Sequence, residues 1–177
     1  MNRHRNFDYS LDGFYFITTC VKHFVCCFGK IQNGQIILNK YGEIVKQQLL
    51  WLPKRFPYIR LDEWCVIPNH AHAIMVIDRS NIRAGHDHAE IVGTVGTGRD
   101  LSLPSPPMKI KSISEIVGAF KTTSSKSIHL SGLNTFQWQR SFYDEVIRDE
   151  TAWKAIRWYI KNNPKNWRKD KNNSLKI

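Results

Sequence analysis

The stretch VIPNHAHAIMVI, residues 66–77, decides how the rest of the chain is arranged. Its apolar part, 71–77, is short and unbroken, and it lies between Pro68-Asn69 and a polar segment that begins at Asp78. An apolar run of this length between turn residues is typical of a strand that is buried on both faces of a sheet. We therefore predict a central strand here.

Two histidines stand at the polar end of this strand, one residue apart. Alternate side chains of a strand lie on one face, and two residues span roughly 7 Å, so the imidazoles of His70 and His72 should point to the same place. Neutral imidazoles arranged in this way suit one divalent metal ion. Buried histidines are also common as hydrogen-bonded core residues, so the spacing alone leaves a metal site and a structural pair both open.

Length and composition restrict the class of protein. A chain of 177 residues that is 42% hydrophobic can bury one sizeable core, which predicts a single domain. The formal net charge of +11 favours a polyanionic partner, nucleic acid first. We expect no membrane segment and no signal peptide, because no long apolar run is present and none follows the basic N terminus. The 4 cysteines lack Cys-x-x-Cys spacing, which predicts reduced thiols and a cytoplasmic protein.

The remaining elements alternate between strands and helices. Their order resembles that of a ferredoxin-like α+β fold, an antiparallel sheet with helices packed on one face, which leaves the other face for a site. The short Pro68-Asn69 turn should place the strand before it antiparallel to the histidine strand. The predicted elements are strands at 14–21 and 58–67, a small hairpin or an extended excursion around Asn33-Gly34, and helices that begin at the caps Asn39, Ser112 and Asp149.

A long loop is predicted at about 79–110, inserted into a single domain that spans 1–177. This region is rich in Gly, Ser, Thr and Pro and has no apolar periodicity. It contains a second histidine pair, His86 and His88, but no apolar strand holds that pair. We expect these two histidines to be solvated and dispensable.

Cations and aromatic residues interleave near the C-terminal end of the chain. Tryptophans alternate with lysines and arginines over 153–169. This composition is typical of proteins that bind single strands through phosphate contacts and base stacking. The face formed by the hydroxyls and lysines of 121–126 is either simply solvated or follows a phosphate backbone. Lys121, Lys161 and Lys165 are candidate phosphate contacts.

Six segments carry a family resemblance in chain order: GFYFIT (13–18), PNHAH (68–72), FK (120–121), WQRSFYD (138–144), IR (147–148) and YIKNNP (159–164). As a set they resemble the REP-associated tyrosine transposases, a branch of the single-tyrosine HUH endonuclease and transposase superfamily. The chain departs from the family at Ala71, where a bulkier residue is usual, and in the long loop.

The resemblance implies an enzyme that uses Mg²⁺ or Mn²⁺ to cut and rejoin single-stranded DNA. The reaction would pass through a 5′-phosphotyrosine, with recognition of a hairpin, in a monomer or homodimer. Arg148, in the fifth matching segment, joins the candidate DNA contacts.

Two tyrosines compete as the nucleophile. Asn163 follows Tyr159 by four residues and shares its helix face, so it could give an oxygen as third ligand to the ion. Tyr143 has Ile147 at the same offset, which cannot bind a metal. The segment 159–164 also matches the family's tyrosine motif. We therefore predict Tyr159 as the nucleophile and His70, His72 and Asn163 as the metal ligands.

Two other classes of protein stay open. A non-catalytic single-stranded nucleic-acid-binding module of ferredoxin-like fold would also explain the charge and the aromatic residues. A metal-dependent hydrolase that uses activated water would keep the histidines but form no covalent adduct. The metal pair and a correctly placed tyrosine distinguish the transposase-like enzyme from both.

Overall fold

The computed structural model describes residues 8–80 and 109–173. His86, His88 and most of the predicted loop lie outside the described residues. Within them, the strands pair as one four-stranded sheet and one separate hairpin. The strands are β1 (Gly13–Cys20), β2 (Gly29–Gln32), β3 (Gln35–Leu38), β4 (Ile59–Ile67), β5 (His70–Ile77) and β6 (Tyr143–Ile147), and the helices are α1 (Lys40–Arg55), α2 (Ile113–Leu130) and α3 (Glu150–Asn162).

The histidine strand β5 is an inner strand of the main sheet, whose order is β4-β5-β1-β6. All its residues are buried, which confirms the predicted central strand. It pairs antiparallel with β4 across the Pro68-Asn69 turn and antiparallel with β1 on its other side. In this register His72 lies opposite Thr18 of β1, and His70 lies opposite Cys20.

The two faces of the sheet have different cores. Side chains at odd positions of β1 and β5, such as Ile17 and Met75, pack with α1 and α2. Side chains at even positions, such as Phe16 and Ile74, pack with α3 through the fully buried Ile160. Burying one isoleucine side chain stabilises the fold by about 1.5–3 kcal/mol, which fixes α3 on this face. The predicted placement of helices on one face therefore holds for α1 and α2, whereas α3 lies on the opposite face, beside the histidines.

Local sequence signals determine where the helices begin. Asn39 accepts hydrogen bonds from the backbone of Tyr41 and Gly42, and Asp149 accepts one from Ala152. Ser112 forms the predicted capping box with Glu115. Such caps satisfy backbone N–H groups that the first turn of a helix leaves without partners. All three predicted starts are confirmed.

The predicted hairpin at Asn33-Gly34 is also present, between β2 and β3. Both turn residues have positive φ, 52° and 72°, as a two-residue hairpin turn requires. None of the helices that the structure describes is both long and apolar enough to cross a bilayer.

Candidate active site

The two histidines of β5 meet at the end of the strand that the sequence predicts to be polar. The Nε2 atoms of His70 and His72 lie 2.9 Å apart, and both side chains are almost completely buried. The prediction that both imidazoles point to the same place is therefore confirmed. Burial lowers the pKa of His70 to about 3 and that of His72 well below its usual value, so both rings are neutral at neutral pH.

Asn69 determines which nitrogen of His70 faces the site. Its side-chain amide donates to the backbone carbonyls of Phe24 (2.9 Å) and Asn172 (2.8 Å), which uses both N–H groups. Its oxygen lies 2.7 Å from Nδ1 of His70 and can only accept. Nδ1 of His70 must therefore carry the hydrogen, which leaves the lone pair on Nε2 directed toward His72.

Thr18, in β1, forms a hydrogen bond with His72, the second histidine. Its hydroxyl lies 2.8 Å from Nδ1 of His72, and the ring of Phe16 stacks on the same imidazole at 5.4 Å. A hydroxyl can donate or accept by rotation. His72 can thus donate from Nε2 to His70 when no ion is bound, or offer that nitrogen as a ligand.

Asp170 supplies a carboxylate that the sequence reasoning missed. Its Oδ2 lies 4.0 Å from Nε2 of His70, and ligand atoms of Asp170, His70 and His72 all lie within 4.8 Å of one another. A short 3₁₀ helix at Trp167–Lys169 brings it there. The available signal was compositional: Asp170 is the only acidic residue in the basic chain after Glu150.

Tyr159 and Asn163 reach this cluster from α3, as the four-residue spacing predicts. The Tyr159 hydroxyl lies 3.2 Å from Oδ2 of Asp170 and 3.4 Å from Nε2 of His72. Burial, followed by the charge of Asp170, raises the pKa of Tyr159 above its usual value. The hydroxyl is therefore protonated at neutral pH and needs a proton acceptor before it can act as a nucleophile.

Asn163 is present at the cluster, but its amide nitrogen faces inward. Nδ2 donates to Oδ2 of Asp170 at 2.6 Å and lies 3.5 Å from Nε2 of His72. Oδ1 is buried and has no hydrogen-bond partner. The carboxylate of Asp170 is thus the third group beside the histidines that could bind a metal, whereas Asn163, predicted as a ligand, turns its amide nitrogen toward them. A rotation of the amide would be needed for Asn163 to bind an ion.

Tyr143, the competing nucleophile, has a different environment. It is 47% exposed, and its hydroxyl donates to Glu145 at 2.7 Å. That hydrogen bond, together with burial, raises its pKa to about 12. Tyr143 and Tyr159 both line an open cleft of about 480 Å³ that also contains His72 and Asp170. Tyr143 stands at its wall, whereas Tyr159 contacts the cluster.

None of the four predicted DNA-contact cations lines this cleft, whose lysines are Lys169 and Lys171. Lys121 donates to the backbone carbonyls of Gln139 (2.8 Å), Ser141 (2.9 Å) and Arg140 (3.4 Å). An ammonium group has three hydrogens, so this one is fully used. Lys121 orders the 139–141 loop through these contacts, and its role as a phosphate contact stays a prediction. The other three, Arg148, Lys161 and Lys165, are exposed.

The donor set of the cluster fits a divalent ion. Two neutral imidazoles and one carboxylate are common ligands of such ions, and carboxylate oxygen also suits Mg²⁺ and Mn²⁺. The unpartnered Oδ1 of Asn163 is a further oxygen donor within this buried region. The cluster of His70, His72 and Asp170 could therefore hold a metal ion.

Comparison with known proteins identifies the fold and a relative by sequence. No protein-family model matches the chain. Among solved structures, the REP-associated tyrosine transposase bound to a REP hairpin superposes with a TM-score of 0.55 at 17% sequence identity, covering 93% of this chain and 73% of that chain. The chain thus has the α+β fold of the REP-associated tyrosine transposases, which confirms the predicted fold class. By sequence it belongs to the family of an uncharacterized Haemophilus influenzae protein, with 35% identity over 170 residues that cover 95% of this chain and 89% of the relative.

Proposed function

We propose that the protein is a metal-dependent, transposase-like endonuclease and strand transferase of the HUH class. It would cut single-stranded DNA at hairpin-associated sites and form a 5′-phosphotyrosine through Tyr159. One observation carries the proposal: the Tyr159 hydroxyl lies within hydrogen-bonding distance of Asp170 and His72, beside a buried cluster of metal-ligating groups. A tyrosine that served only for packing has no need of that position.

The chemistry follows from the groups around the hydroxyl. The oxygen of Tyr159 forms a bond to the scissile phosphorus, and the bond from phosphorus to the 3′-oxygen breaks. The phenolic proton passes to Oδ2 of Asp170, its hydrogen-bond acceptor at 3.2 Å, and the departing 3′-oxygen takes up a proton from water in the open cleft. The tyrosyl ester keeps the bond energy, so a 3′-hydroxyl can reverse the step and rejoin strands.

His70, His72 and Asp170 would hold the divalent ion, Mg²⁺ or Mn²⁺. Bound there, the ion would offset the negative charge that develops on the phosphate. The protein's own contribution is orientation: Asn69 fixes the ring of His70, Thr18 fixes that of His72, and Asn163 hydrogen-bonds to Asp170. Fixed ligands of this kind need little rearrangement during the reaction.

Single-stranded DNA is supported as the substrate by charge and by exposed aromatic surface. The net charge is +11, and Arg148, Lys161 and Lys165 are exposed near α3. Trp158, on the outer side of α3, is 64% exposed and free to stack on an unpaired base. The structural neighbour was solved with a REP hairpin, which supports a hairpin-associated site here.

Labelling either end of a DNA oligonucleotide tests the proposal. A hairpin oligonucleotide with a single-stranded flank is incubated with protein and Mn²⁺ and then run on a denaturing gel. A 5′-phosphotyrosine keeps the protein on the 3′-labelled fragment, while a 5′ label appears in a shorter free strand. A hydrolase would cut without forming an adduct, and a binding module would do neither, so either result would overturn the proposal.

A further inference from the structure

Lys171 is one of the cations that line the cleft containing Tyr159. Among the described residues, the only lysines or arginines in the lining are Lys169 and Lys171. Lys171 is exposed and follows directly after Asp170, whose side chain is buried beside the histidines. The backbone of Asp170 is extended, with φ −63° and ψ 135°, and successive side chains of an extended backbone point to opposite sides. One short segment therefore presents a carboxylate to the cluster and an ammonium group to the cleft.

The backbone on both sides of Lys171 is anchored. Before it, the carboxylate of Asp170 accepts a hydrogen bond from Asn163 at 2.6 Å. After it, the backbone N–H of Asn172 donates to Oδ1 of Asp170 at 2.7 Å, and the carbonyl of Asn172 accepts from Asn69 at 2.8 Å. Because both neighbours are held, the positions that the ammonium group of Lys171 can reach are limited.

An aromatic ring holds the ammonium group itself. Nζ of Lys171 lies 5.2 Å from the ring centroid of Tyr143, within the range of a cation–π contact. Tyr143 packs edge-on against Phe16 at 6.0 Å, and its hydroxyl donates to Glu145 at 2.7 Å. No ion pair or ring contact with another described residue holds the ammonium group of Lys169. Among the described residues, the other cations over rings do not line the cleft: Lys40, Arg55, Lys121 and Arg157.

Ring contacts connect this lysine to the reacting groups. Phe16 contacts Tyr143 and also contacts Tyr159, at 6.2 Å, and it stacks on His72 at 5.4 Å. A phosphate at the Tyr159 oxygen would lie in the cleft, which measures about 480 Å³. The oxygens of that phosphate would therefore share a confined space with Nζ of Lys171.

The charges around the cleft leave a task for a fixed cation. Asp170 and Glu145 place two carboxylates in the lining, and both repel the anionic backbone of DNA. The charge of Lys171 offsets this repulsion, and it also reaches the cluster, since after burial it is the second cause of the lowered pKa of His70. When Tyr159 attacks, negative charge develops on the phosphate oxygens, and a positive group already in place stabilises that charge without rearrangement.

We propose that Lys171 is a further catalytic residue, whose ammonium group binds a non-bridging oxygen of the scissile phosphate, and that the ring of Tyr143 positions it there. The inference rests on the proposed function, since it assigns a second group that touches the same phosphate. Lys171 keeps its protons throughout, because its part is to pair with the charge, and the phenolic proton still passes to Asp170. Tyr143 thereby has a role in the cleft other than that of nucleophile.

The rate of adduct formation tests the assignment of Lys171. Lys171→Ala is compared with Lys169→Ala, which removes the same charge from the same cleft, and with Lys171→Arg, which keeps the charge. At saturating hairpin substrate and Mn²⁺, Lys171→Ala should form the tyrosyl adduct about 10- to 100-fold more slowly in a single turnover, less than for a fully enclosed donor because the cleft is open. Lys169→Ala should slow the reaction much less, and Lys171→Arg should restore most of the rate.

Mn²⁺ titration separates this role from a structural one. If Lys171 only held Asp170 in place, Lys171→Ala would weaken Mn²⁺ binding. The proposal predicts an Mn²⁺ affinity that is unchanged or higher, because a nearby positive charge is removed.

A double-mutant cycle tests the positioning role of Tyr143. Tyr143→Leu should slow adduct formation, and Tyr143→Phe, which keeps the ring, should rescue most of that loss. In the Lys171→Ala background Tyr143→Leu should add little, because the cation that the ring positions is already absent.

The results that would overturn the inference differ in what they say about the proposed function. If Lys171→Ala forms the adduct as fast as Lys169→Ala, or if it binds Mn²⁺ more weakly than the unaltered protein, the assignment of Lys171 fails. If Tyr143→Leu slows the Lys171→Ala variant as much as it slows the unaltered protein, the positioning role fails. In each case, adduct formation by the unaltered protein leaves the proposed function standing. If the unaltered protein forms no adduct, both fail together. Thermal melting checks that each variant is folded.

Discussion

Asn69 is the residue whose replacement should reveal most about how the site is held. Its amide joins three parts of the chain: Nδ1 of His70, the carbonyl of Phe24, and the carbonyl of Asn172, two residues beyond Asp170. Phe24 has a positive φ of 54°, which is unusual for a bulky residue and needs support from its surroundings. One side chain therefore fixes the ring of His70, a proposed metal ligand, and the segment that carries Asp170.

The size of the effect follows from these contacts. Asn69→Ala removes the acceptor of the buried Nδ1–H of His70, which costs about 1–3 kcal/mol where water cannot replace the amide, and it removes two hydrogen bonds to part-buried carbonyls. Loss of such a supporting contact to a metal-ligating histidine lowers metal affinity by about 10- to 100-fold. Asn69→Asp still accepts from His70, but its second carboxylate oxygen faces the two carbonyls in a buried site, so it should destabilise the fold while keeping the hydrogen of His70 on Nδ1.

Nitrogen NMR of the metal-free protein is the most direct assay. In the unaltered protein and in Asn69→Asp, His70 should carry its hydrogen on Nδ1, whereas Asn69→Ala should show a mixture of tautomers. Thr18→Val is the matched control, because it removes the contact to His72 and leaves that to His70. Mn²⁺ titration of each folded variant then gives the affinity. An unchanged His70 tautomer and unchanged Mn²⁺ affinity in Asn69→Ala would refute the reasoning.

Three further predictions concern the cluster itself. A His70→Ala, His72→Ala double variant should stay folded and bind DNA but lose metal-dependent cleavage. If the double variant still cleaves DNA, the assignment of a catalytic metal site to these histidines is wrong. Asp170→Asn should lower Mn²⁺ affinity by about tenfold or more, and by more than Asn163→Ala does, as titration calorimetry would show; the reverse order would restore Asn163 as the third ligand. The rate of adduct formation should change little between roughly pH 6 and 8, because the raised pKa of Tyr159 keeps its hydroxyl protonated throughout and the proton passes to Asp170 during the attack. A rate that rises about tenfold per pH unit in single-turnover assays would contradict this.

Much of the fold was predictable because its signals are local. The apolar run after His72 indicated the central strand, and the caps Asn39, Ser112 and Asp149 marked helix starts. A cap needs only its own side chain and the next few backbone groups. The position of α3 was harder to predict from the sequence, because it depends on which face of the sheet the apolar side of the helix packs against.

The missed parts of the site depend on contacts between distant segments. Asp170 reaches the histidines only because a 3₁₀ helix turns the chain back after Asn163, and no periodicity marks such a turn. The contacts of Lys121 with the carbonyls of 139–141 were not predictable either, because they join separate segments of the chain. The shared face of Tyr159 and Asn163 was predictable, because helical spacing sets it.

Identification of the residue that becomes linked to DNA tests the central claim most directly. The unaltered protein, Tyr159→Phe and Tyr143→Phe are each incubated with the hairpin substrate and Mn²⁺, the adduct is digested, and the nucleotide-bearing peptide is sequenced by mass spectrometry. The account predicts that the DNA is attached to Tyr159, that Tyr159→Phe binds DNA but forms no adduct, and that Tyr143→Phe still forms one. Attachment at Tyr143, or an adduct in Tyr159→Phe, would contradict it.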